Sequence, residues 1–169
     1  MLNEKASIEK LRWIMAQLRD PATGCPWDLK QNFSSITAHT LEEAYEVVDA
    51  IEQNDFTELN KELGDLLFQV IFYSQLGQEQ QLFDFDSVVE AICEKLIRRH
   101  PHVFGDENLT TDTQIKANWE NEKAKERQAK NKQDKLSILA DIPTNLPALS
   151  QAAKIQKRCA HVGFDWDNV

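Results

Sequence analysis

Four acidic residues form two matched pairs near the middle of the chain: Glu43 with Glu46, and Glu62 with Asp65. The members of each pair are three residues apart, so on a helix their Cβ atoms lie on one face, about 5–6 Å from each other. If the two helices are antiparallel neighbours, roughly 8–10 Å apart, the pairs can face one another. Two like charges at close range repel by about 4 kcal/mol at an effective dielectric near 20. Such a cluster therefore requires protons or bound cations.

The residue types narrow the chemistry that this cluster could perform. Carboxylate oxygens are hard ligands, which favour Mg²⁺ or Mn²⁺ over zinc or copper. No histidine follows these glutamates at i+3, so the Glu-x-x-His pattern of di-iron bundles is missing. Gly64 lies between the acids of the second pair, where a helical glycine costs about 1 kcal/mol relative to alanine, and this indicates a close neighbour that needs the room. The spacing alone also fits acids on a solvated helix face, and both interpretations stay open.

The segments that must position these acids have the apolar spacing of helices. This spacing predicts a first helix through Ile8 and Leu18, and a second helix around Leu41 to Ile51 that is entered through the Ser34 and Ser35 region. Asp55, with Glu58 three residues later, fits a capping box that begins a third helix. The second half of that helix is apolar nearly all round, which indicates a central helix or one in a subunit interface.

The rest of the chain also shows helical patterns, and no segment is a convincing strand. Asp86 is predicted to cap a fourth helix, which must stop before Pro101. Residues 113–135 are mostly charged and predict a solvated helix whose tail is a linker. A last helix is predicted from about Ala148 to Ala160, ending near Gly163. The predicted fold class is all-α, an antiparallel helical bundle.

Bulk composition excludes several classes of function. The chain has 169 residues, enough for one domain or one domain plus a fragment, and its net charge of -9 argues against binding of a nucleic acid polymer. Three cysteines without a CxxC pair fit a reducing compartment better than a disulfide framework. No apolar run is long enough for a signal peptide or a membrane span. We expect a soluble, cytoplasmic protein that does not bind membranes.

Ordered motifs along the chain resemble one known family. The acids of EEAYE (42–46) and ELGD (62–65) match the Glu-x-x-Glu, spacer, Glu-x-x-Asp pattern of the MazG-type all-α nucleoside triphosphate pyrophosphohydrolases. The resemblance extends through GCPWDLKQ (24–31), TLEEAYEVVDAI (40–51), ELGDLLFQVIFYSQ (62–75), KLIRRHPHVFGD (95–106) and NWENEK (118–123). It implies a helical bundle of that type and hydrolysis of NTPs or dNTPs to the monophosphate and pyrophosphate with Mg²⁺. It also implies a homodimer or higher homo-oligomer acting in nucleotide-pool housekeeping or a stress response.

The same resemblance implies roles for individual residues. The catalytic and metal-binding set would be Glu43, Glu46, Glu62 and Asp65, which would hold one or more Mg²⁺ (or Mn²⁺) ions and orient a water. Four further residues would bind the substrate: Lys95 and Arg99 at the phosphates, Trp119 by stacking on the base, and Lys123 one turn further along the same helix. Trp27 and Asp28 either line the nucleotide pocket or pin their loop. His39 stands where the family commonly carries Tyr, and no chemistry is assigned to it.

The resemblance also divides the chain. Residues 1–130 are predicted to form the MazG-type pyrophosphohydrolase domain, and residues 131–169 a linker and the start of a second, truncated MazG-like unit. In a duplicated family one copy can be catalytic while the other is structural. The alternative function is therefore a catalytically silent helical module for dimerisation or regulation in a two-domain MazG protein.

Overall fold

The computed structural model describes residues 5–130, 139–140, 142–160 and 162–165, with only the backbone of 127–130. Within these residues the secondary structure is helical and contains no strand, which confirms the predicted all-α class. The chain divides into two compact units, Met1–Ile97 and Arg98–Val169, which are described separately. The helices are α1 (Ile8–Leu18), α2 (Pro26–Leu29), α3 (Thr37–Glu52), α4 (Phe56–Glu79), α5 (Phe85–Arg99), α6 (Pro101–Phe104), α7 (Asp112–Lys130) and α8 (Ala148–Ala160).

A tight turn reverses the chain between α3 and α4. Asn54 takes a left-handed φ of 58°, which Asn tolerates better than most residues. The Asp55 amide donates to the carbonyl of Ala50 at 2.9 Å, and the Asn54 amide donates to the carbonyl of Ile51 at 3.1 Å; together these bonds form a Schellman motif. Asp55 then caps α4, because its Oδ1 accepts the amides of Thr57 and Glu58, each at 3.0 Å. The predicted Asp55 cap is confirmed, and the turn makes α3 and α4 antiparallel neighbours.

Helix α4 is the central helix of the first unit, packing against both α1 and α3. Three of its residues, Ile71, Phe72 and Leu76, join Met15 of α1 and Ile36 in a buried core. Beside this core, Thr40 Oγ1 of α3 lies 3.0 Å from the hydroxyl of Tyr73. The apolar second half of α4 therefore fills the core, as its pattern predicts.

The loop between α1 and α2 is fixed by one arginine and one glycine. Arg19 pairs with Glu79 through two bonds of 2.8 and 2.6 Å, and it also donates to the backbone carbonyls of Asp28 and Gln31. A Cβ atom on Gly24 would lie 2.5 Å from the carbonyl oxygen of Asp20, so no larger residue fits there. The loop leads into α2, where the Trp27 ring lies beside the His39 ring of the first turn of α3.

The N-terminal end of α5 differs from the prediction. Asp84, and not Asp86, makes the capping bond, since Asp84 Oδ1 accepts the Ser87 amide at 2.8 Å. Asp86 lies in the first turn of α5 and instead pairs with Arg12 of α1, at 2.8 Å and 3.1 Å. The prediction that Asp86 caps the helix is therefore wrong, because its carboxylate forms an ion pair with Arg12 instead.

The second unit contains α6, α7 and α8. The predicted end of the fourth helix before Pro101 is confirmed, although the residues after His100 form the short, unpredicted α6. The charged helix and the last helix appear as α7 and α8, and Gly163 has the left-handed φ of 81° expected near a helix end. Of the segment 131–169, predicted as a linker and the start of a second unit, residues 131–138 lie outside the described residues. Nowhere in the described part of the chain is a helix long and apolar enough to cross a membrane.

Candidate metal centre

The acid pairs lie on the two helix faces that meet in the antiparallel α3–α4 hairpin. Successive residues of an α-helix are rotated by about 100°, so residues three, four and seven apart share one stripe. On α3 this stripe carries His39, Glu43, Glu46 and the buried Ala50. On α4 it carries Glu62, Asp65 and the buried Gln69. Each stripe thus ends in a buried residue, while Glu46 and Asp65 on the same stripes stay exposed.

Three carboxylates converge at the centre of this seam. Glu43, Glu62 and Asp65 each offer an oxygen, and these oxygens lie within 4.8 Å of one another. Glu46 is outside this converging set but lies close enough to raise the pKa of both Glu43 and Glu62. Glu43 and Glu62 are half-buried, whereas Asp65 is exposed.

The electrostatics of the cluster are those of acids without counter-charges. Partial burial raises the pKa of Glu43, and the carboxylates of Asp65 and Glu46 raise it further. Partial burial also raises the pKa of Glu62, with a second contribution from Glu46. Within the described residues, no Lys, Arg or His forms an ion pair with any of these acids. A hard divalent cation fits this donor set because it supplies the missing positive charge.

Gly64 lies on an open part of α4. A Cβ atom built there would have no atom of the described chain within 4 Å. No protein atom of the described residues therefore needs the room, and the expectation of a close neighbour stays a prediction. Gly64 instead leaves an open helix surface between the two acids of its pair.

Comparisons with known proteins point to one family. Residues 31–104 match the family model described as the MazG nucleotide pyrophosphohydrolase domain, and this segment includes both acid pairs, Lys95 and Arg99. Residues 31–104 are therefore identified as a MazG domain. It is 55% identical to the nucleoside triphosphate pyrophosphohydrolase of Escherichia coli (strain K12) over 159 residues, which cover 94% of this chain and 59% of that protein.

Two proteins from Thermotoga maritima are also similar to this chain. The chain is 42% identical to the nucleoside triphosphate pyrophosphohydrolase/pyrophosphatase MazG of Thermotoga maritima, again over 94% of this chain and 59% of that protein. The crystal structure of a mazG-related protein from Thermotoga maritima superposes with a TM-score of 0.58 at 26% identity, and the match covers 69% of this chain and 99% of that chain. This chain thus spans 59% of the length of each of these two pyrophosphohydrolases.

The two cations assigned to the phosphates have different surroundings. Lys95, on α5 of the first unit, is half-buried. Arg99, in the second unit, makes a forked pair with Glu126 of α7: its Nε lies 3.1 Å from Oε1 and its Nη2 lies 2.6 Å from Oε2. Hydrogen bonds from Arg99, and then from Arg98, lower the pKa of Glu126 to about 2. Arg99 is therefore held by an internal carboxylate in this structure.

Trp119 and Lys123 lie on α7, in the second unit. The Trp119 ring meets the His100 ring edge-on, with centroids 5.2 Å apart, and Lys123 Nζ lies 5.9 Å from the Trp119 ring centroid. Lys123 also pairs with Glu120 at 3.1 Å. The two side chains are neighbours, as their spacing predicts.

Sequence reasoning passed over two residues beside the acids. Gln69 is buried, and its Oε1 has no hydrogen-bond partner among the described residues. The ring of His39 lies edge-on to the ring of Trp27, with centroids 5.9 Å apart. A signal was present in the sequence, because Gln69 is four residues after Asp65 and His39 is four residues before Glu43.

Proposed function

We propose that this chain hydrolyses nucleoside triphosphates, NTPs or dNTPs, to the nucleoside monophosphate and pyrophosphate with Mg²⁺ or Mn²⁺, in nucleotide-pool housekeeping or a stress response. The observation that carries the proposal is the convergence of Glu43, Glu62 and Asp65 without an internal counter-charge. The relatives from Escherichia coli and Thermotoga maritima are named as nucleoside triphosphate pyrophosphohydrolases, which supports the reaction. Residues 1–130 are proposed as the domain that performs it, followed by a linker and the start of a second unit.

The acids would hold the metal, with Glu46 completing the set from beside the three converging carboxylates. The bound metal supplies positive charge that neutralises the polyphosphate. One of the four carboxylates is proposed to act as general base. The attacking water gives its oxygen to the α phosphorus and its proton to one of these carboxylates. The bond from the α phosphorus to the bridging oxygen breaks, and pyrophosphate leaves.

Lys95, Arg99, Trp119 and Lys123 remain the proposed substrate-binding residues. Lys95 offers a movable point charge, while Arg99 offers a fork that matches phosphate oxygens. Arg99 would have to leave or share Glu126 to bind a phosphate. The acidity of the whole chain makes such local positive charge necessary for attracting a polyanion.

We further propose that the chain works as a homodimer or a higher homo-oligomer. Both α3 and α4 leave a second stripe of large apolar side chains exposed, rotated by about 80° or more from the acid stripe. On α4 this stripe includes Phe56, Leu63, Leu67 and Val70. Exposed apolar stripes of this kind favour burial against another copy.

The test is pyrophosphate release over a panel of NTPs and dNTPs, with and without Mg²⁺, in ¹⁸O-labelled water. The proposal predicts a metal-dependent release of pyrophosphate, with the label in the monophosphate. Orthophosphate as the first product would indicate cleavage at the γ phosphorus and contradict the proposal. Binding of Mg²⁺ and nucleotide without turnover would favour the silent dimerisation or regulatory module.

A further inference from the structure

We propose that Arg98 and Lys157 are positioning residues, which keep the acids of α7 neutralised while Arg99 and Lys123 leave those acids to bind the substrate. In this arrangement neither Arg98 nor Lys157 contacts the nucleotide. The inference rests on the proposed function, since it takes Arg99 and Lys123 as substrate-binding residues.

Arg98 and Arg99 share the carboxylate of Glu126. Its Oε1 accepts hydrogen bonds from Arg98 Nη2 at 2.5 Å and from Arg99 Nε at 3.1 Å, and its Oε2 accepts one from Arg99 Nη2 at 2.6 Å. Arg98 also pairs with the buried Glu122, whose Oε2 lies 3.3 Å from Arg98 Nε. In the described part of the chain, Arg99 forms an ion pair with Glu126 only. Arg99 can therefore leave by separating from one acid, whereas Arg98 would have to leave two.

Lys123 and Lys157 share the carboxylate of Glu120 in the same way. Glu120 Oε1 lies 3.1 Å from Lys123 Nζ on the same helix and 3.3 Å from Lys157 Nζ of α8. The acid is half-buried, while Lys157 reaches it from an exposed position. Helix α8 thus supplies a second cation to the acid that holds Lys123.

The ion pairs around α7 contain more cations than acids. Among the described residues, three α7 acids pair with five cations. The acids are Glu120, Glu122 and Glu126, and the cations are Arg98, Arg99, Lys123, Lys125 and Lys157. If Arg99 and Lys123 move to the substrate, three cations remain, one for each acid.

This excess of cations lowers the free energy needed to release Arg99 and Lys123. A buried or half-buried carboxylate that loses its last counter-ion is strongly destabilised. With Arg98 and Lys157 in place, neither shared acid loses its last counter-ion when the substrate binds. The two released cations then carry positive charge to a polyphosphate in a chain whose net charge is -9.

The proposal is tested by calorimetry in Mg²⁺ with a non-hydrolysable α,β-methylene nucleoside triphosphate. Arg98→Met should weaken binding of this analogue by about fivefold, because Glu126 then retains Arg99 as its only arginine. Arg98→Lys should stay within about twofold of the parent, since the proposed role needs the charge and not the fork. Adding Glu126→Gln to Arg98→Met should restore binding to within about twofold of the parent, because the neutral amide no longer retains Arg99.

Lys157→Met provides an independent test at the other shared acid. It should weaken binding of the analogue by about threefold, and adding Glu120→Gln should restore the parent affinity. Lys154→Met is the matched control: it removes the same charge from an exposed position on α8, and Lys154 forms no ion pair with the described residues. This control should bind the analogue like the parent. Helix content is measured for every variant, and the Lys157 variants decide the question if Arg98→Met does not fold.

The double variants separate the proposed role from a purely structural one. If Arg98 and Lys157 only held the helices together, removing the acid as well could not restore what the first change lost. Double variants that bind the analogue as weakly as the single variants would therefore overturn the proposal, and so would parent-like binding in both Arg98→Met and Lys157→Met. If the predicted losses and recoveries are seen but the parent hydrolyses nothing, the inference stands and the hydrolase proposal falls. A parent that does not bind the analogue would contradict both.

Discussion

Two groups of acidic residues in this chain share a residue type but have opposite electrostatic surroundings. On α3 and α4, burial and neighbouring carboxylates raise the pKa of Glu43 and Glu62. On α7, Glu126 is held by Arg98 and Arg99, and its pKa falls to about 2. Glu120 of the same helix is paired with Lys123 and Lys157, and these contacts outweigh burial and lower its pKa.

The difference shows how acids that bind a ligand can be distinguished from acids that stabilise the fold. The α7 acids have their counter-cations within the second unit, so their charge is already balanced and they hold that unit together. The α3–α4 acids have no ion pair of their own in the described residues, so their balance must come from protons or from a bound cation. The α3–α4 group and the α7 group contain similar numbers of acids. They differ in whether Lys or Arg side chains pair with those acids.

The largest expected effect comes from removing one converging carboxylate. Glu43→Gln or Asp65→Asn should lower kcat/KM by at least about 100-fold, since even groups that only support a metal ligand contribute 10- to 100-fold. Helix content should stay the same. Glu46→Gln should cost less, about tenfold, because Glu46 stands beside the converging set.

The matched control for these variants is Glu52→Gln, which makes the same charge change on the far side of α3. It should leave kcat/KM within about twofold of the parent. Parent-like turnover in Glu43→Gln would show that the cluster is only a solvated face.

A second prediction concerns Arg99, which pairs with Glu126 in the structure and is proposed to bind a phosphate of the substrate. Arg99→Lys keeps the charge but loses the fork, so kcat/KM should fall by at least about tenfold, or roughly 1.4 kcal/mol of transition-state stabilisation. Metal affinity should be unchanged. Glu126→Gln, which frees the guanidinium, should keep kcat/KM within about twofold. Equal stability losses with normal kinetics in both variants would make Arg99 a structural residue only.

The smallest expected effect is on folding. Glu126→Gln should lower the free energy of unfolding by about 1 kcal/mol at pH 7, the upper end for a partly exposed ion pair. Because the pKa of Glu126 is lower in the folded state than its ordinary 4.5, its contribution is present above that value and is lost as pH falls toward 2. Urea unfolding of parent and variant at pH 7 and pH 3 should therefore show a smaller difference at pH 3. A constant difference would mean that packing, not charge, stabilises this contact.

Much of the fold could be predicted from local patterns in the sequence. The apolar spacing located α1, α3, α4 and α8, and the i, i+3 acids located a cluster, because both depend on the fixed rotation per residue of a helix. Contacts between distant residues escaped this reasoning. Asp86 pairs with Arg12, which is 74 residues away, and Glu126 pairs with Arg99, which is 27 residues away. Burial of Gln69 was missed for the same reason, since it depends on how α3 packs over α4.

The α3–α4 acids are proposed to bind a divalent cation. Calorimetric titration of the parent with Mg²⁺ at pH 8 and pH 5 tests this most directly. The folded-state pKa values of Glu43 and Glu62 are raised, so the metal-free chain should lose stability as pH rises through the window above 4.5, and Mg²⁺ should bind more tightly at pH 8 than at pH 5. Glu43→Gln should weaken binding at pH 8, while Glu126→Gln should bind Mg²⁺ like the parent. Absence of Mg²⁺ binding at pH 8, or equal weakening by both variants, would contradict the account.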